Sequence, residues 1–179
     1  MANIPAGTWT IDKSHSEVSF SVRHLMISKV KGSFKDFEGT IVTTDDPEQT
    51  LVTGSIDPAS IDTNDKGRNE HLRSGDFFET EKFPAITFES TSVKAKNDED
   101  FIVEGNLTMH GVTKTVTLKA ELGGVVVDGY GQTKLAVSAK GKLLRSDFGL
   151  TWNTALESGG VLVSDEITLT VEAQAVLQA

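Results

Sequence analysis

Alternation of apolar and polar residues recurs along most of this chain and restricts it to a β-sheet protein. Residues 17–24 place Val18, Phe20 and Val22 on one side and polar side chains on the other. A period of two residues is that of a strand with one buried face. The same alternation returns in four later stretches, which are residues 101–109, 116–122, 135–143 and 167–175.

About eight to ten strands are predicted, separated by glycine-rich or acidic turns, with one core and no linker. The pattern therefore predicts one domain over residues 1–179. Residues 29–34 and 37–44 are predicted to form the two arms of a hairpin across Lys35–Asp36. A meandering antiparallel sheet of this length must bury one face and protect its edges, which closure into a barrel achieves. A two-sheet sandwich is the competing architecture.

Residues 64–75 lack the alternation and predict a short helical insert. Asn64 or Asp65 can cap its first turn, and Gly75 can end it in a left-handed conformation. Phe77 and Phe78 follow directly, and two exposed phenylalanines are unfavourable in water. The insert should therefore fold against the barrel as a lid or plug; a connector that covers a sheet edge is the alternative.

Composition excludes several classes of function. The net charge of −9 argues against a nucleic-acid partner, because phosphates would be repelled. No apolar run approaches the length of about 20 residues that a membrane-spanning helix requires. The start of the chain has neither the basic nor the apolar region of a secretory signal, so the expected location is the cytoplasm. Two basic windows, residues 23–35 and 134–145, are either anion-attracting patches or ordinary solvated strand faces.

The residues give little support for an enzyme or a metal protein. His15 and His24 are nine residues apart, which places them on opposite faces of one strand. No metal-ligand spacing, nucleophile elbow or phosphate-binding loop is present. Ser14 precedes His15 directly, but adjacent strand residues diverge, so a hydrolase triad is not expected. We therefore expect a protein without enzymatic activity, metal or cofactor.

Motifs spread over nearly the whole chain resemble one family. The chain opens with Asp-x-x-His-Ser-x-Val-x-Phe-x-Val-Arg-His at residues 12–24, and residues 68–78 follow the pattern Arg-Asn-x-His-Leu-Arg-Ser-x-Asp-Phe-Phe. Further matching stretches are residues 83–91, 105–118, 145–150 and 160–166. Together they resemble the YceI-like proteins, which are bacterial, lipocalin-like barrels that bind polyisoprenoid or related long-chain lipids.

The resemblance implies an all-β fold, an eight-stranded antiparallel lipocalin-like barrel with a short helical insert around residues 64–75. It also implies a lipid channel through the interior and homodimer formation, which is frequent in the family. Many relatives are periplasmic and carry a cleaved signal. Because this chain shows no such signal, we expect it in the cytoplasm, although many relatives are periplasmic.

The expected function is non-enzymatic binding of an isoprenoid or fatty lipid in the barrel, for carriage, storage or sensing, without integral membrane insertion. Small inward residues, such as Gly105 and Ala139, favour a cavity; Ala120 and Ala173 are of the same kind. A barrel with a filled core that acts as an interaction or stress-response module is the main alternative, and a hydrolase is a weaker one. The predicted tunnel residues are Val18, Phe20, Val22, His24, Leu25, Met26, Phe37, Ile41, Leu72, Phe77, Phe88, Leu107, Met109, Leu118, Leu135, Val137, Leu169 and Val171. The predicted head-group residues are Arg23, Arg68, His71 and Arg73.

Overall fold

The structure, a computed structural model, describes residues 3–157 and 160–179. These residues form eleven strands and one α-helix, joined by short turns. The strands are β1 (Gly7–Ile11), β2 (Glu17–His24), β3 (Ser28–Phe34), β4 (Phe37–Thr43), β5 (Leu51–Ile56), β6 (Ile61–Asp62), β7 (Ile86–Ala95), β8 (Asp100–Met109), β9 (Val112–Val127), β10 (Thr133–Leu144) and β11 (Val163–Leu177), and the helix is α1 (Lys66–Arg73).

The sheet closes on itself. Antiparallel pairing runs through β1, β4, β5, β7, β8, β9, β10 and β11 in that order, and β11 pairs back onto β1, with Trp9 opposite Leu177. This ring is the predicted eight-stranded antiparallel barrel, and the fold class is confirmed. The sandwich alternative is wrong, because the pairing of β1 with β11 leaves no pair of separate sheets.

Three pairs of strands each behave as one bent strand. The chain bends between β1 and β2, between β3 and β4, and between β5 and β6. Both β1 and β2 pair with β11, β4 and β3 pair with β1 and β2, and β5 and β6 pair with β4 and β3. The bends are adjacent: Lys13 Nζ lies 2.8 Å from Asp36 Oδ1, and the Asp36 N–H donates to Ser60 Oγ at 3.0 Å. Counted this way, the eight strands follow one another in simple sequence order.

The hairpin predicted across Lys35–Asp36 is wrong. β3 pairs with β2 and β6, whereas β4 pairs with β1 and β5. A two-residue hairpin turn requires positive φ angles, and neither Lys35 nor Asp36 has one. The chain therefore bends here and continues. The true tight turn of this region joins β2 to β3, where Leu25 and Met26 adopt φ angles of 55° and 63°.

The helical insert is confirmed, with one difference at its end. Helix α1 begins after Asp65, whose side chain accepts a hydrogen bond from the Arg68 N–H at 2.9 Å. Gly75 does not adopt the left-handed conformation expected of it. Instead, Ser74 ends the helix with an extended backbone, and its hydroxyl donates to the His71 carbonyl at 2.6 Å.

The barrel has two different ends. We call one the helix end, because α1, the β2–β3 turn, the β8–β9 turn and the connection from β10 to β11 all lie there. The other is the terminal end, where both chain termini meet the remaining turns. Trp9 is fully buried toward the terminal end and packs with Ile41, Leu135 and Ala175. Among the described residues, no helix is long and apolar enough to cross a membrane.

Candidate functional site

The barrel interior is apolar and unevenly packed. On β7 and β8 most inward side chains are buried, among them Ile86, Val103 and Leu107, whereas Phe88 and Phe101 are half-buried. On β2, β9, β10 and β11 many inward side chains keep part of their surface accessible. We call this second set the accessible wall, and it consists of Phe20, Val22, Leu118, Leu122, Val137, Ala139, Leu143, Ile167, Leu169 and Val171.

The accessible wall is continuous, because its members are cross-strand partners. Val22 lies opposite Ile167 and Phe20 lies opposite Leu169 between β2 and β11. Ile167 in turn lies opposite Leu143 on the next strand. Directly opposed side chains on one face of a sheet touch each other. The wall therefore offers one uninterrupted apolar surface inside the barrel.

Glycines on the inner face make room for large neighbours. A Cβ atom at Gly105 would lie 2.4 Å from Cζ of Phe88, and one at Gly141 would lie 2.6 Å from Cδ2 of Leu118. The expectation that Gly105 leaves an open cavity is therefore wrong, since the Phe88 ring fills that space. Ala120 and Ala173 are buried in packed regions, whereas Ala139 belongs to the accessible wall.

The predicted tunnel residues fall into three groups. Leu25 and Met26 form the β2–β3 turn and are 38% and 51% exposed, so they do not line the interior. The half-buried group is Phe20, Val22, His24, Leu72, Phe88, Leu118, Val137, Leu169 and Val171. The buried group is Val18, Phe37, Ile41, Phe77, Leu107, Met109 and Leu135.

The structure does not bring the four predicted head-group residues together. Arg23 is exposed on the outward side of β2. Arg68 donates to the hydroxyl and carbonyl oxygens of Thr63 at 2.8 and 2.7 Å, and Arg73 donates to the carbonyl of Ala59 at 2.8 Å. These two arginines brace α1 against the neighbouring backbone.

His71 belongs instead to an aromatic cover at the helix end. Its ring meets Phe77 and Trp152 edge-on, with centroid distances of 5.0 and 4.7 Å, and its Nε2 lies 2.8 Å from Asp76 Oδ2. Phe77 is buried, and Phe78 packs edge-on against Phe34. The insert therefore folds against the barrel, as expected.

Arg145 holds the connection between β10 and β11. It is only 5% exposed, and its guanidinium donates to the carbonyls of Leu150, Trp152, Val163 and Ser164 at 2.8 to 3.2 Å. Burial lowers the pKa of the Arg145 side chain from its ordinary value. The sequence places Arg145 in a basic window, a pattern that carries no signal for this buried role.

His110 is a second polar group at the helix end. It forms the β8–β9 turn with Gly111, at a φ of 55°, and its Nδ1 lies 3.0 Å from the Phe148 carbonyl. A carbonyl only accepts, so Nδ1 carries the proton. The His110 ring packs against Phe83, with centroids 4.8 Å apart. The hydrogen bond from His110 to Phe148 therefore holds the 145–150 segment against the β8–β9 turn.

The geometry of Asp12, Ser14 and His15 is that of a turn. Ser14 Oγ lies 3.1 Å from His15 Nδ1, so the expectation that these neighbours diverge is wrong: residues 13–15 form one turn of 3₁₀ helix. Asp12 Oδ2 lies 2.9 Å from the same ring nitrogen. A catalytic triad needs the serine and the carboxylate on opposite ring nitrogens. Within residues 3–157 and 160–179, no group of three acidic or histidine side chains could hold a metal ion.

A polar groove of about 390 Å³ lies on the outer surface beside β2, β3 and β6. Its lining includes Lys31 and Lys35, together with Glu17 and Asp62. Both signs of charge are present, so the groove has no net preference for an anion. Its lining also includes Phe20, a member of the accessible wall, and Gly32 opposite it on β3.

Fold and interior together define a class, the closed antiparallel barrels with an apolar inner face. The model of the YceI-like domain matches residues 9–175, and the chain belongs to this family. It is 43% identical to Protein YceI of Salmonella newport (strain SL254) over 149 residues, which is 82% of this chain and 78% of that protein.

Solved structures agree with this placement. A Campylobacter jejuni YCEI protein superimposes with a TM-score of 0.74 at 35% identity, covering 94% of this chain and 96% of that one. A polyisoprenoid binding domain from Saccharophagus degradans, implicated in plant cell wall breakdown, gives a TM-score of 0.73 at 16% identity, with 97% and 100% covered. At that identity the second likeness supports the shared fold alone.

Proposed function

We propose that the barrel binds a long-chain lipid against its accessible wall, without enzymatic conversion. The observation that carries this proposal is the continuous run of inward apolar side chains, such as Val22, Ile167 and Leu169, that retain accessible surface. Fully packed cores leave no such surface. An isoprenoid is the ligand class that we propose, since the polyisoprenoid binding domain from Saccharophagus degradans shows that a barrel of this fold is associated with such a ligand.

Apolar burial is sufficient to drive the binding. One five-carbon isoprene unit corresponds to about four to five buried CH₂ groups, or roughly 3–4 kcal/mol of transfer free energy. Several units would nominally exceed the practical ceiling of about −18 to −21 kcal/mol, and the ordering of a flexible chain offsets part of that sum. The head group therefore needs only to be oriented. Carriage, storage and sensing would all begin with this binding step.

The polar head is proposed to lie at the helix end. Trp9 and its neighbours fill the terminal end, and the cationic and imidazole groups of Arg68, His71 and Arg73 lie at the helix end on α1. Of the three we choose His71, whose side chain pairs with the Asp76 side chain at 2.8 Å, whereas both arginines donate to backbone carbonyls. Replacing His71 with Gln should weaken binding of a polyprenyl phosphate more than binding of the matching polyprenol, as measured by ligand titration.

The decisive test places a charge on the accessible wall. Val22→Asp would bury an unpaired carboxylate in an apolar surface, which is strongly unfavourable. Ser21→Asp is the matched control, because Ser21 is the next residue and faces outward. Native mass spectrometry, with organic extraction of bound lipid, should detect lipid in the wild type and in Ser21→Asp but not in Val22→Asp. A folded Val22→Asp protein with full lipid occupancy would contradict the assignment.

A second candidate function, an interaction module with a filled core, draws on a specific observation. Phe20 and Phe88 lie across Gly32 and Gly105 and fill part of the interior. Such a barrel would act through its outer surface. A wild-type protein that is free of lipid when purified, and that takes up none from offered polyprenol, would favour this second function.

A further inference from the structure

The turn between β2 and β3 exposes three consecutive large apolar side chains. Leu25, Met26 and Ile27 are 38%, 51% and 80% exposed. Leu25 and Met26 also adopt positive φ angles, a conformation in which turns usually place Gly, Asn or Asp. Neither solvation nor turn chemistry favours these residues here. An exposed apolar cluster of this kind marks a contact surface.

Positive charges flank the apolar turn. Arg23 and Lys29 lie directly opposite each other on β2 and β3, and like charges in that position repel. Neither side chain makes an ion pair with any part of the chain that the structure describes, and Lys31 follows two residues beyond Lys29. No acidic residue occurs between Glu17 and Asp36, although the whole chain has a net charge of −9.

The apolar surface extends to the connection between β10 and β11. The Leu25 N–H donates to the Leu162 carbonyl at 2.9 Å, and Val161 beside it is 37% exposed. A Cβ atom at Gly160 would lie 3.3 Å from Cγ of Met26. The turn is therefore braced by a second segment, while Met26 and Ile27 remain 51% and 80% exposed.

We propose that the segment 23–29, here called the β2–β3 tip, docks onto the surface of an anionic lipid bilayer. Leu25, Met26 and Ile27 enter the interface between head groups and acyl chains, while Arg23 and Lys29 lie at the level of the phosphates. The tip lies directly beyond the last accessible residues of β2. Docking would therefore bring the accessible wall close to the membrane from which a lipid enters. This consequence rests on the proposed function.

An anionic bilayer fits this surface better than a protein does. A stable protein interface buries about 800 Å² on each partner, whereas the tip presents three apolar side chains on a narrow turn. Basic residues that flank an apolar insert match the two layers of a membrane interface, charged outside and apolar inside. A second copy of this chain would bring another net charge of −9.

Sedimentation with vesicles tests the docking. We expect the wild type to sediment with vesicles of equimolar phosphatidylglycerol and phosphatidylcholine, less at high salt, and weakly with phosphatidylcholine alone. Ile27→Asp should reduce binding to the anionic vesicles by roughly tenfold or more. The double variant Arg23→Gln with Lys29→Gln should remove most of the salt dependence.

Val127→Asp is the matched control, because Val127 is a 67% exposed apolar residue on β9 at the terminal end. Its binding to the vesicles should equal that of the wild type. Equal sedimentation of Ile27→Asp and wild type would overturn the proposal, as would a wild-type dimer in sedimentation velocity that Ile27→Asp abolishes. Lipid content measured on the same variants by native mass spectrometry separates this outcome from a failure of lipid binding in the barrel.

Discussion

The ring of Phe20 lies across Gly32 on the inner face of the barrel. The two residues are cross-strand partners on β2 and β3. A Cβ atom at position 32 would lie 2.5 Å from Cζ of Phe20 and 2.9 Å from Cγ2 of Thr63. The ring also packs against Phe34, with centroids 5.6 Å apart. The glycine therefore determines how far Phe20 extends over the neighbouring strand and how much of the interior it fills.

Gly32→Ala should lower the free energy of unfolding by about 1–3 kcal/mol, because the added methyl group overpacks the interior. The obstructing atoms all belong to side chains, so Phe20→Ala should relieve much of this effect. In urea denaturation, the double variant should be less destabilised than the sum of the single variants. Strict additivity would show that Phe20 does not limit the space. Gly75→Ala, where an added Cβ meets nothing within 4 Å, is the control and should change stability by less than about 0.5 kcal/mol.

Alternation in the sequence predicts the interior well, since it depends only on strand parity. It places Phe20 and Val22 on the inner face of β2, and their partners Leu169 and Ile167 on the inner face of β11. Parity cannot reveal which inner residues remain accessible. That depends on how the Phe20 and Phe88 rings pack across the barrel, which is a property of the closed fold.

A local sequence pattern does not predict the bends of the barrel strands. On β3 the even-numbered residues, such as Phe34, face inward, whereas on β4 the odd-numbered residues, such as Phe37, do so. From the sequence alone this change predicts a hairpin. The bend is held by contacts with distant residues, such as the hydrogen bond from Asp36 to Ser60. The role of Arg145 is hidden for a similar reason, because its acceptors are backbone carbonyls, which have no signature in the side-chain sequence.

Arg145→Lys should lower the free energy of unfolding by about 2–4 kcal/mol. A planar guanidinium reaches four carbonyls at once, whereas a lysine ammonium is a point donor with three hydrogens. The lost bonds would leave carbonyls of the β10–β11 connection, such as that of Leu150, without donors. Urea denaturation followed by circular dichroism measures the loss. The exposed Lys140→Ala should change stability by less than about 0.5 kcal/mol, and an equally small effect of Arg145→Lys would show that the clamp is dispensable.

Asp12 should contribute to stability in a pH-dependent way. Hydrogen bonds from the Ser14 hydroxyl and then from His15 lower the pKa of the Asp12 carboxyl from its ordinary value. A pKa that is lower in the folded state gives a contribution that is complete above the unfolded value and is lost as the pH falls through the folded value. Asp12→Asn should therefore cost about 1 kcal/mol at neutral pH, and this difference should shrink in strong acid.

The measurement is a series of urea denaturations from about pH 5 downward, a range in which a free histidine stays charged. The difference in free energy of unfolding between wild type and Asp12→Asn should decrease steadily as the pH falls. Asp45→Asn, at an exposed position in the β4–β5 turn, is the control. Its free energy of unfolding should differ from that of wild type by the same small amount at every pH. A gap for Asp12→Asn that is constant with pH would mean that the capping contribution does not depend on the carboxylate charge.

The Thr43 hydroxyl accepts a hydrogen bond from a buried indole and donates one to the Pro5 carbonyl at 2.7 Å. Trp9 is fully buried, and its Nε1–H donates to Thr43 Oγ1 at 2.9 Å. Thr43→Val would leave this N–H unpaired, at a cost of about 1–3 kcal/mol. In a Trp9→Phe background no such donor exists, so the same threonine substitution should cost about 1 kcal/mol less. Thermal and urea denaturation of the four proteins measure this difference, and an equal cost in both backgrounds would show that the hydrogen bond does not stabilise the terminal end.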